Sequence, residues 1–117
     1  MIAEKPSVAK AFAGRWRFVE MDAWDIGSLD GVEEAHLTFS KDTGGEFVVG
    51  VLQGALDVRY GRRDGSACAE FSWEGHDEED PASGRGWFMI DAAGNGVGHL
   101  YTHDGEDSAF VCKRDRK

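Results

Sequence analysis

EFVVGVLQGALDVRYGRRDGSACAEFSWE, residues 46–74, decides the fold. Along it apolar and polar side chains alternate with the period of two that a half-buried β-strand requires, broken by turn signals. Asp64-Gly65 is a strong hairpin signal. It sets Val58 opposite Phe71 and Leu56 opposite Trp73 on one face, and Arg59 opposite Glu70 on the other. Gln53-Gly54, read as a second two-residue loop, sets Val51 opposite Leu56, Val49 opposite Val58 and Phe47 opposite Tyr60. Both turns put the same side of the ribbon in the core. A one-residue slip in either would turn these pairs toward water.

Outward from this ribbon the same period holds from Gly14 to the C-terminus. It predicts eight strands: Arg15 to Asp22, Ala35 to Ser40, Glu46 to Leu52, Ala55 to Arg62, Ser66 to Glu74, Gly86 to Ala92, Val97 to His103 and Ser108 to Arg114. Eight short strands joined mostly by tight turns predict an all-β, antiparallel up-and-down barrel, whose closure removes exposed sheet edges. An open two-layer sandwich is the alternative. Before the first strand, residues 1–13 form an N-terminal segment with a short helix, capped by Ser7 and stopped by Gly14. The expected organisation is one domain, with the barrel over residues 14–114.

The chain has 117 residues, 16 of them Gly and only two Pro, a composition of many turns and no linker. A net charge of -9 argues against nucleic acid and anionic membrane as partners, because each phosphate contact would work against the protein's own field. No apolar run reaches the length of about 20 residues that a membrane helix needs, and Glu4 and Pro6 stand where a signal peptide would be apolar, so the expected compartment is the cytoplasm. Cys68 and Cys112 form no CxxC pair and read as reduced, buried thiols.

Gly14-Arg15-Trp16, opening the first strand, resembles the G-x-W signature of calycin barrels, the group of lipocalins, avidins and fatty-acid-binding proteins. The resemblance implies that Trp16 closes one end of the barrel beneath a basic residue of the last strand, Lys113 or Arg114. The pieces FAGRWR, VEMDAWD, LDVRYG, FSWEGHDEEDPASGRGW and DSAFV also resemble a family of short bacterial proteins. That resemblance implies the fold and a bacterial origin, and no reaction. IAEKPSVAKA, near the N-terminus, is similar to the opening of the nucleotidyl-transfer domain of type IA topoisomerases, but that domain's Gly-rich and acidic motifs do not follow it.

In an up-and-down barrel the connections after strands one, three, five and seven share one end. Two long loops, 23–34 and 75–85, are expected there and would make a mouth opposite the base closed by Trp16. The mouth is expected to gather Glu20, Asp22, Trp24, Asp25, His36, Trp73, Glu74, His76, Asp77, Glu79, Asp80, Ser83, Arg85, Trp87, His103 and Asp107. Rings beside a few polar groups suit a small, partly apolar ligand. In that reading Trp24, Trp73 and Trp87 form stacking walls, Arg85 fixes an anionic or carbonyl group, and Glu20, Asp22, Glu74 and His76 orient it.

Other readings of the same residues stand beside this one. The Trp side chains serve equally as core and the acids as a solvated loop. The five acids of Glu74 to Asp80 would also dock a basic protein partner on a barrel plugged by its own side chains. Glu20 and Asp22 share the phase of Trp16; pointing inward, they would have the raised pKa of a general acid or base. No G-x-S-x-G elbow accompanies Ser83, and an enzyme is the lesser expectation. His76, Asp77, Glu79 and Asp80, with His36 or His103, have the atom types of metal ligands but match no metal motif. His99, Tyr101 and His103 alternate on one side of strand seven, an arrangement open to a metal or haem reading, but are expected outward, solvated and structural. No cofactor and no oligomeric state is legible.

Overall fold

The computed structural model describes residues 9–22 and 34–115. They form β1 (Gly14–Met21), β2 (His36–Phe39), β3 (Gly44–Val49), β4 (Leu52–Arg63), β5 (Ser66–Asp77), β6 (Asp80–Ile90), β7 (Gly96–Thr102) and β8 (Asp107–Arg114). Each strand is antiparallel to the next, and β8 returns to β1 to close the barrel, which disposes of the sandwich alternative. Residues 9–12 form the short helix. At about 3.3 Å per residue, the long strands β4 and β5 alone account for the 40 Å long axis. Among the described residues no helix is long and apolar enough to cross a membrane.

Between β4 and β5 the register is the predicted one: Val58 faces Phe71, Leu56 faces Trp73 and Arg59 faces Glu70. Asp64 and Gly65 hold φ of 52° and 83°, the left-handed pair such a turn needs. The β3–β4 turn differs from expectation. It lies at Gly50-Val51, with Gly50 at φ 61°, so Val49 faces Leu52 and Phe47 faces Gly54. Val51 is thereby left 43% exposed at the tip. The partner of Val49 moves from Val58 to Leu52, an even displacement that keeps every other side chain on its predicted face. Period two cannot detect such a slip. Gly54 is needed inside the barrel instead: a Cβ there would lie 2.6 Å from Phe47 and 2.7 Å from Trp73.

Two further expectations are corrected. Residues 75–85 are not a long loop. β5 runs on to Asp77 and β6 begins at Asp80, with Glu78-Glu79 as a two-residue turn and His76 opposite Pro81. Pro81 lies beyond the last β6–β7 pair, Gly84 with Thr102, where a residue without an N–H costs no ladder bond. The second correction is a β-bulge between Phe18 and Glu20 on β1. Phe18 faces Cys112 and Met21 faces Phe110, both pairs inward, so the phase set by Trp16 is lost at Val19. Glu20 and Asp22 therefore stand exposed on the outside.

Aromatic rings fill the interior. Phe12, Trp16, Phe18, Phe39, Phe47, Phe71, Trp73, Phe88 and Phe110 are all buried in one cluster. Inward glycines make room for them: a Cβ on Gly96 would lie 2.2 Å from Phe88, and one on Gly86 or Gly98 would press on Phe71 or Phe110. At the base, the Trp16 indole N–H donates to the Phe12 carbonyl at 2.9 Å. The Arg114 guanidinium lies 4.0 Å over the Trp16 ring and donates to the Ala13 and Ala11 carbonyls at 2.8 and 2.9 Å. The basic residue over Trp16 is thus Arg114. Cys68 and Cys112 are free, buried thiols, both pushed up in pKa by burial.

Candidate functional site on the outer wall

Two clefts formed by the described residues lie outside the barrel, on the wall made by β4, β5, β6 and β7. Strand pairing brings outward side chains of these strands into rows. One row is Arg59, Glu70, Trp87 and His99; the next is Asp57, Ser72, Arg85 and Tyr101. Ser72 is short among long neighbours, and the hollow it leaves is a cleft of about 420 Å³ that Arg63 also borders. A second cleft, of about 790 Å³, adjoins it toward the mouth along Ser72, Arg85 and Tyr101 and extends past Glu74 and Ser83 to His103.

Arginines and rings dominate the first cleft. The Arg63 guanidinium sits 4.7 Å from the centre of the Trp87 ring, and that of Arg85 sits 5.5 Å from Tyr101. Tyr101 in turn stacks on His99, with ring centres 4.5 Å apart, and His99 Nε2 lies 2.6 Å from Asp107 Oδ2. Arg59 is held by Asp57 at 2.7 Å. A guanidinium lying against a ring is attracted through its face. Its N–H edges stay available for hydrogen bonds.

Of the residues expected at the mouth, Arg85 and Trp87 border the first cleft, and Trp73, Glu74, Ser83, Arg85 and His103 border the second. Trp73 is itself only 2% exposed, edge-on to Phe47 at 5.0 Å, with its indole N–H donating to the Tyr101 carbonyl at 3.1 Å. His76, Asp77, Glu79 and Asp80 are exposed on the β5–β6 hairpin. His36 is buried, its Nδ1 3.4 Å from Thr38 Oγ1. His99 and Tyr101 face outward in part, and His103 is exposed in the β7–β8 turn. Trp24, Asp25 and the rest of residues 23–33 lie outside the described residues. Among the described residues no group of three His, Cys, Asp or Glu is placed to hold a metal ion.

Arg59, Arg63, Ser72 and Tyr101 were not expected in a site. The signal lay in the β5–β6 register, which sets Trp87 beside Glu70 and Arg85 beside Ser72. It was hidden because Glu78 takes the left-handed turn position, φ 57°, that Gly or Asn usually marks. No protein-family profile matches this chain, and no curated protein is significantly similar to it.

Proposed function

We propose that this chain is a calycin-like binding protein for a small, partly apolar molecule, held on the outer wall of the barrel between β4 and β7 rather than inside it. The single observation that carries the reading is the cleft of about 420 Å³ where Trp87 and Tyr101 each carry a stacked arginine. Its size is within the usual range for ligand sites, and it joins apolar area to a few oriented polar groups. The filled interior argues against a ligand among the core rings. The calycin assignment is supported by Trp16 under Arg114 at the closed base.

Titration with 1-naphthalenemethanol and 1-naphthoate, followed by the indole N–H resonances in ¹H–¹⁵N NMR, tests the site. Saturable shifts of Trp87, with Trp73 and Trp16 unmoved, are expected. Shifts confined to Trp73 and Trp16 would place the ligand in the interior and sink the outer-wall reading. Docking of a basic protein is the second reading, favoured by the exposed acids of the β5–β6 hairpin. It requires Asp77→Asn and Glu79→Gln to weaken binding while Trp87→Ala leaves it intact.

A further inference from the structure

Resting on that reading, we infer that the outer-wall cleft selects aromatic monoanions, carboxylates above all. The charge count of the lining comes first. Arg59, Arg63 and Arg85 face Asp57 and Glu70 there, so three guanidiniums against two carboxylates leave one surplus positive charge. In a chain of net charge -9, a locally positive cleft is an exception to the general field. One surplus charge is neutralised by one negative charge on the ligand. A dianion would leave a net negative site.

Pairing says which arginines are available. Arg59 is engaged by Asp57, so that pair is already neutral. Arg63 and Arg85 lie against rings, and among the described residues neither has a carboxylate within ion-pair distance. Arg63 also hydrogen-bonds the Cys68 thiol, whereas the N–H edge of Arg85, held against Tyr101, is unspent among the described residues. A planar carboxylate accepts two parallel N–H bonds from such an edge, a geometry that an alcohol cannot match. Stacking in the free protein also means that less side-chain freedom is lost on binding. The ring of the ligand packs beside Trp87 and Tyr101, the two half-exposed aromatics of the wall.

Calorimetric titration of the full chain with 1-naphthoate, 1-naphthalenemethanol and 1-naphthyl phosphate tests the inference. The carboxylate is expected to bind at least about tenfold more tightly than the alcohol, and more tightly than the dianionic phosphate. Arg85→Gln should remove most of that preference, weakening the carboxylate several-fold more than it weakens the alcohol. A circular-dichroism melt of the variant establishes that it is folded. Equal affinities for carboxylate and alcohol, a preference that survives both Arg85→Gln and Arg63→Gln, or tighter binding of the phosphate would each overturn the monoanion inference while leaving the cleft as a binding site. Failure of all three compounds to bind would remove the outer-wall reading itself.

Discussion

Trp73 and Trp87 stand on adjoining strands but on opposite faces of the wall, and single substitutions separate their duties. Trp73→Ala deletes a fully packed indole and its hydrogen bond to the Tyr101 carbonyl, a loss of about 3–5 kcal/mol in chemical denaturation. Trp87→Ala removes a half-exposed ring and one cation–π contact, and should cost about 1 kcal/mol or less. Comparable losses for the two would mean that Trp87 is structural. Tyr60 gives a pH signature. Its buried hydroxyl has no hydrogen-bond partner among the described residues, and burial, with Asp42's charge second, pushes its pKa from 10.0 to about 12. Between these values the unfolded chain releases the phenolic proton and the folded chain retains it, so stability is complete below pH 10 and falls as pH rises toward about 12. Tyr60→Phe should flatten that part of the stability profile, measured by urea unfolding.

At the scale of the strands, glycines divide into those that make room for rings and those that do not. A Cβ on Gly98 would lie 2.0 Å from the Trp87 carbonyl oxygen and 2.7 Å from Phe110, whereas one on Gly61 meets nothing within 4 Å. Gly98→Ala should therefore lower stability by about 1–3 kcal/mol, and Gly61→Ala should be neutral or raise it by a few tenths, to about 1 kcal/mol. Equal thermal shifts would contradict the packing. These glycines also explain why some elements were legible and others were not. Asp64-Gly65 is a turn because nothing else competes for that Gly. Gln53-Gly54 has the same local appearance, but its Gly is taken by the rings of Phe47 and Trp73, and the turn falls at Gly50.

For the molecule as a whole, closure is completed at the base. Arg114 ties β8 to the helix carbonyls while covering Trp16 on β1, so it joins both ends of the barrel strand order. Arg114→Met should cost about 1–2 kcal/mol and speed amide exchange in β1 and β8 before the β4–β5 ribbon. Uniform exchange would deny it that role. Of the ligand-binding residues expected from the sequence, Arg85 and Trp87 border the first cleft of the outer wall and Trp73, Glu74 and Arg85 the second. Glu20 and Asp22 were turned outward by one bulge that no side-chain pattern announces, and Arg63 reaches Trp87 only through a contact between non-adjacent strands.

The sequence by itself determined the number of strands, their antiparallel order and most of the faces that are buried, which follow from alternation and local turn chemistry acting over a few residues. The closure over Trp16 by a basic residue of the last strand was implied by the resemblance to calycin barrels, and the structure makes that residue Arg114. Only the tertiary structure decided the β3–β4 register, the extension of β5 and β6 through the acidic hairpin, the filling of the interior and the meeting of Arg63, Arg85, Trp87 and Tyr101 on the outer wall. Those depend on which ring occupies which glycine's space across the barrel, and volume shared between distant residues leaves no periodic trace in the chain.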